Sequence, residues 1–181
     1  MGIGETLLIS IGLAMDAVAV SMTNGMVYRD LKVRHYIAMP LLFGAFQGFM
    51  PLLGFYAGSI FSELLDRYSG IVILIILGLI GGKMIYEGIA HKDDEELKPH
   101  LTLPVLFFQS VATSIDAFAV GVAFTAMKVA ILPTVSSIAV VTAALVIAAI
   151  LIGKKAGDLL GSKAEILGGV ILIIIGIKGM V

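Results

Sequence analysis

Met15-Asp16-Ala17-Val18-Ala19-Val20 returns a hundred positions later as Ile115-Asp116-Ala117-Phe118-Ala119-Val120. Each copy lies midway along an apolar stretch long enough to cross a bilayer. A carboxylate at membrane depth costs roughly 2.5–3.5 kcal/mol on insertion scales, so an acid kept there is first read as part of a functional site. Two acids in matching surroundings point to one shared site.

The rest of the chain is built for the same solvent. Of its 181 residues, 59% are hydrophobic and 14% charged, and the mean hydropathy is +1.08. A soluble domain of this size has too high a surface-to-volume ratio to hide so much apolar surface. Six segments, at 5–26, 36–60, 68–90, 101–127, 131–152 and 164–181, approach the ~20 residues needed to span the hydrocarbon. The first is no signal peptide: it lacks a basic leading region and carries Glu5 and Asp16. A formal net charge of -1 and the lack of basic, aromatic-interleaved runs set nucleic acid aside as a partner. With no cysteine, disulfides and thiolate metal sites are excluded. His35, His91 and His100 fall at segment ends or in loops, so an intramembrane metal must be held by oxygen, with methionine thioethers as the one further donor available.

Orientation follows from Lys and Arg. Arg29, Lys32, Arg34, Lys92, Lys98, Lys154, Lys155 and Lys163 fall on one side, in the loops after spans one, three and five; Arg67, Lys128 and Lys178 fall on the other. The positive-inside rule then puts both termini outside and the acidic linker His91 to Pro99 in the cytoplasm. The linker's acidic run is most simply a solvated loop.

The repeat extends past the aspartates. Leu53-Gly54-Phe55-Tyr56-Ala57-Gly58 echoes Ile152-Gly153-Lys154-Lys155-Ala156-Gly157, and Gly70 to Gly78 echoes Gly169 to Gly176. Ile- and Gly-rich spans align somewhat by composition alone, but three echoes in order are harder to dismiss. The reading is an all-α membrane protein of six transmembrane helices, arranged as two three-helix repeats (1–90 and 101–181) joined by a linker at 91–100. An odd number of spans per half makes the repeats inverted, the plan of secondary transporters that bind substrate near the midplane.

Helical spacing puts Gly12, Asp16, Ala19 and Thr23 on one face, and Ala112, Asp116, Ala119 and Ala123 on its counterpart. The small residues read as a packing seam; the acids need another explanation. Candidate supporting groups are Gln47, Gln109, Thr113, Thr23 and Asn24, each as readily an interhelical hydrogen bond as a ligand, together with Lys83 and Glu87. Lys83 can snorkel, pair with Glu87, or act as counter-charge to the acids. Pro51 removes a backbone N–H and can free a carbonyl oxygen. Ser136, Ser137 and Thr142 are expected to bond their own helix, and the methionines to fill the core.

Two carboxylates with neutral oxygens form a hard site suited to Mg²⁺, Ca²⁺ or Mn²⁺. Once the cation leaves, two acids held together in low dielectric cannot both stay ionised cheaply. Exchange of one divalent cation for two protons keeps the site neutral throughout. Charge alone allows uptake as well as export.

Gly12 through Ser21 followed by Asn24-Gly25, and Ser114 through Gly121, resemble the first- and fourth-span motifs of the MntP-type manganese efflux pumps of the lysine-exporter superfamily. Phe43-Gly44 through Pro51, Gly81 through Gly88, and Lys163 through Gly169 extend the likeness over essentially the whole chain. The resemblance implies a multi-pass protein of a prokaryotic inner or plasma membrane, exporting Mn²⁺ as substrate with no resident cofactor, and maps that family's intramembrane aspartates onto Asp16 and Asp116. Some family members carry Glu and Arg at the positions of Gln47 and Lys83, and Gln47 makes this site one charge less negative. Export of another divalent cation or of an amino acid is the alternative within the superfamily. An intramembrane aspartyl protease would call for Gly-x-Gly-Asp, whereas Thr113-Ser114-Ile115 precedes Asp116. A passive channel would need a filter of carbonyls or charge rings, and neither is visible.

Overall fold

The computed structural model describes residues 2–28, 31–57, 100–126 and 129–160, with scattered helical positions between 71 and 89 and between 166 and 177. Among the described residues all regular structure is helical. Helix α1 covers Ile3–Val27, α2 Val33–Ala57, α3 Leu103–Ala112, α4 Ile115–Ala126 and α5 Ile131–Leu160. With α3 and α4 taken as one crossing, four described spans are long and apolar enough to traverse a membrane. The protein is a multi-pass membrane protein.

The start of α1 is fixed by Glu5, whose carboxylate accepts the Gly2 N–H at 2.9 Å and so satisfies a donor the helix itself cannot. Helix α5 runs beyond the expected end at 152. Lys154 and Lys155, expected in a loop, lie exposed on its final turns, because Gly153 and Gly157 hold this part of α5 against α1. Their Cα positions lie so close to the carbonyls of Met22 and Met26 that no side chain would fit. Lipid gives helices no hydrophobic reason to associate, so close backbone packing has to supply the contact.

Pairs of touching residues give the helix directions. Met22 with Gly153 and Met26 with Gly157 make α1 and α5 parallel. Gly44 meets Ala143 while Gly48 meets Val135, so α2 runs antiparallel to α5. Phe46 packs edge-to-face on Phe107 with centroids 5.3 Å apart, and Gly54 abuts Phe118, so α2 and the α3–α4 span run the same way.

The fourth span is interrupted where a single helix over 101–127 was expected. Thr113 and Ser114 form a turn between α3 and α4. The Ser114 N–H goes to the Val111 carbonyl, three residues back, at 3.2 Å. The Thr113 hydroxyl donates to the Gln109 carbonyl at 3.0 Å and the Ser114 hydroxyl to the Ser110 carbonyl at 2.8 Å. Such back-bonding competes for carbonyls that the helix ladder uses, and it bends helices. The composition is as apolar as that of any span; the break comes from two adjacent hydroxyl residues.

The buried apolar residues fall into two clusters. One, including Ala17, Val20, Phe43, Leu106, Ala112, Ile115, Val146 and Ile150, occupies the end where α1 finishes and α2 and α3 begin. The other, with Leu13, Ala117, Phe124, Val129 and Ile138, and with Met50 packed on it, occupies the opposite end.

Candidate functional site

Each of the four described spans passes from one apolar cluster to the other, and at each handover stands a polar residue. On α1, Leu13 belongs to one cluster and Ala17 to the other, with Asp16 between. On α2, Gln47 falls between Phe43 and Met50; in the fourth span, Asp116 falls between Ile115 and Ala117; on α5, Thr142 falls between Ile138 and Val146. The two acids therefore share one layer with an amide and a hydroxyl. Asp16 is partly buried and Asp116 exposed. Asp116 sits in the first turn of α4, where the helix dipole favours an anion; Asp16 is in the body of an unbroken helix. The two acids thus stand at the same handover between clusters in unequal backbone settings.

Gln47 is fully buried. Its amide N–H donates to the Leu13 carbonyl on α1, one turn from Asp16, while its Oε1 receives no hydrogen bond among the described residues. Pro51, four residues on, has no N–H to offer the Gln47 backbone carbonyl. Thr142 is also fully buried. Its hydroxyl, expected to bond its own helix, has no partner among the described residues.

The other expected supporting groups are engaged elsewhere. Asn24 and Gln109 are fully buried and hold each other: Asn24 Nδ2 donates to Gln109 Oε1 at 2.8 Å, and Gln109 Nε2 to Asn24 Oδ1 at 3.2 Å. The Thr23 hydroxyl donates to the Ala19 carbonyl at 3.0 Å, as that of Thr113 does to Gln109. Lys83 and Glu87 lie outside the described residues. The expected packing seam through Gly12, Asp16, Ala19 and Thr23 is fully buried only at Thr23, and its counterpart on the fourth span only at Ala112. Gly12 is exposed with open space around it, as are the side chains of Ala119 and Ala123; the buried face of α1 runs instead through Leu13, Ala17, Val20 and Asn24. A side chain's spacing defines its face but not which face a neighbour takes.

The family model described as "Putative manganese efflux pump" matches residues 30–180. This chain belongs to that family. Among its relatives, a "Putative manganese efflux pump MntP" of Ruminiclostridium cellulolyticum is 43% identical over 98% of this chain and 95% of its own length. Relatives of the same name come from Rippkaea orientalis, 42% identical over 100% of this chain and 97% of theirs, and from Clostridium perfringens, 37% identical over 98% and 93%. No solved structure matches the chain. Its relatives are named as pumps, and the chain is a transporter, not an enzyme.

Sequence reasoning singled out Asp16, Asp116 and Gln47 as candidates and read Thr142 as bonding its own helix. Intramembrane threonines commonly satisfy their own helix, and only the packing distinguishes the one that does not.

Proposed function

We propose that this protein exports Mn²⁺ from the cytoplasm as a secondary transporter, with Asp16 and Asp116 binding the ion near the midplane and exchanging it for protons. The observation that carries this reading is the shared polar layer, in which both acids lie between two apolar plugs. Mn²⁺ rather than another hard divalent comes from the names of the relatives.

The architecture proposed is six spans in two inverted repeats, 1–90 and 101–181, joined by the 91–100 linker, with both termini outside a prokaryotic inner or plasma membrane. Contacts repeated at an offset of about a hundred residues support it. Gly121 meets Pro51 as Gly25 meets Ile150, and Gly54 meets Phe118 and Val122 as Gly153 meets Met22. Spans one and two run opposite ways, as do four and five, but span four runs with span two. This is the sense an inverted repeat requires, with one further crossing in each half.

The mechanism follows from charge. Mn²⁺ neutralises two carboxylates; when it leaves, protons take its place, because two adjacent carboxylates in low dielectric repel. The site crosses the apolar interior neutral in either form, and each cluster in turn acts as the barrier on its own side. Mn²⁺ is cargo, not a resident cofactor.

The test is uptake of Mn²⁺ into inside-out vesicles with and without a pH gradient. Accumulation is expected for the natural protein and lost in Asp16→Asn and Asp116→Asn at normal insertion levels. Undiminished transport by both variants would refute the aspartate site.

A further inference from the structure

We infer that Gln47 Oε1 and Thr142 Oγ1 are the neutral ligands that complete the cation site of Asp16 and Asp116, so that spans one, two, four and five each give one oxygen donor. The inference rests on the proposed aspartate site and names the rest of its donor set.

Leaving a buried donor or acceptor unmatched costs roughly 1–3 kcal/mol, so such an atom is retained for a reason. Among the described residues the unpartnered buried side-chain atoms are Gln47 Oε1, Thr142 Oγ1 and Ser21 Oγ. Ser21 lies more than a turn beyond Asp16, beside the crossing of Gly25 and Ile150, within one apolar cluster. Gln47 and Thr142 instead stand at the handover between clusters, on the two spans that lack an acid.

Both atoms depart from local habit. Hydroxyls at Ser10, Thr23, Ser110 and Thr134 all donate to the carbonyl four residues back; that of Thr142 does not take the Ile138 carbonyl. For Gln47 the amide orientation is dictated: its N–H meets the Leu13 carbonyl, and the reversed amide would set two acceptors against each other. Oε1 is therefore turned away from that carbonyl, with a lone-pair oxygen to offer.

The donor chemistry fits one class of ligand. Amide, hydroxyl and carboxylate oxygens suit hard divalent ions, and two carboxylates with two neutral donors balance a dication. Such a site should favour Mn²⁺ over Zn²⁺ or Cu²⁺ more than its raw affinity order would.

The experiment is Mn²⁺ titration of purified full-length protein, followed by calorimetry and by loss of the free-ion electron paramagnetic resonance signal. Thr142→Val and Gln47→Met are each expected to weaken binding at least about tenfold, the low end of what losing even an outer-shell partner costs a metal site. Thr142→Ser should retain it. Without metal, Thr142→Val should melt no lower than the natural protein, since it removes an orphan hydroxyl; this separates ligand loss from misfolding. Natural affinity in Thr142→Val and Gln47→Met, with binding lost in Asp16→Asn, would overturn this inference and leave the aspartate site standing. Binding that survives Asp16→Asn, or none by the natural protein, would overturn both.

Discussion

Asn24 of α1 and Gln109 of α3 exchange two hydrogen bonds, at 2.8 and 3.2 Å, and join the antiparallel first and fourth spans. Both residues are fully buried, so each amide satisfies the other where water cannot. Replacing either with Leu leaves its partner unmatched and should cost about 1–3 kcal/mol. The double variant should cost less than the sum, with a coupling of roughly 0.5–3 kcal/mol. Denaturant unfolding in mixed micelles measures all four corners of the cycle; strict additivity would mean that the pair is not coupled.

Gly121 and Gly12 offer opposite outcomes for the same kind of change. A Cβ on Gly121 would collide with the Pro51 backbone, so Gly121→Val should lower stability by at least the ~1–3 kcal/mol typical of overpacking. Among the described residues nothing stands near Gly12, and Gly12→Ala should gain up to about 1 kcal/mol from helix propensity. Melting temperatures of the two purified variants check the contrast.

The turn at Thr113 and Ser114 gives α4 its own N-terminus one residue before Asp116. Substituting both with Ala removes the back-bonding hydroxyls and favours a continuous helix. Transport should fall several-fold while thermal stability holds or rises; Mn²⁺ flux in proteoliposomes beside a melting curve would show it. Flux equal to the natural protein would mean the break has no part in transport.

Proton coupling predicts a direction with pH. Protons compete for the carboxylate oxygens that bind Mn²⁺, so affinity should weaken as pH falls, and metal binding should release protons. Calorimetric titration between about pH 5.5 and 8 in buffers of different ionisation enthalpy measures both effects. Heats independent of buffer, with affinity independent of pH, would rule out exchange at this site.

Topology is open to direct labelling, since the chain has no native cysteine. Single cysteines at Gly2 and in the His91 to Pro99 linker should react with an impermeant reagent from outside and from the cytoplasm, respectively. Labelling of the linker from outside would overturn the assigned orientation and take support from export.

Sequence by itself determined the solvent, the helical class and, apart from their ends and the break in the fourth, the four described spans, and it singled out the two intramembrane acids. Hydrocarbon length and the cost of an intramembrane carboxylate act on local composition, which Asp16 and Asp116 display without any partner in view. It also showed the Gly54 and Gly153 echo, whose meaning as backbone contacts waits on their neighbours. Only the tertiary structure decided which face of α1 is buried, because facing is a property of a pair of helices: Leu13 and Ala17 pack while Gly12 does not. It also decided where hydrogen bonds go, closing Asn24 on Gln109 and leaving oxygens of Gln47 and Thr142 unmatched. A threonine written in sequence carries the same hydroxyl everywhere; whether that hydroxyl bonds its own helix depends on what packs around it.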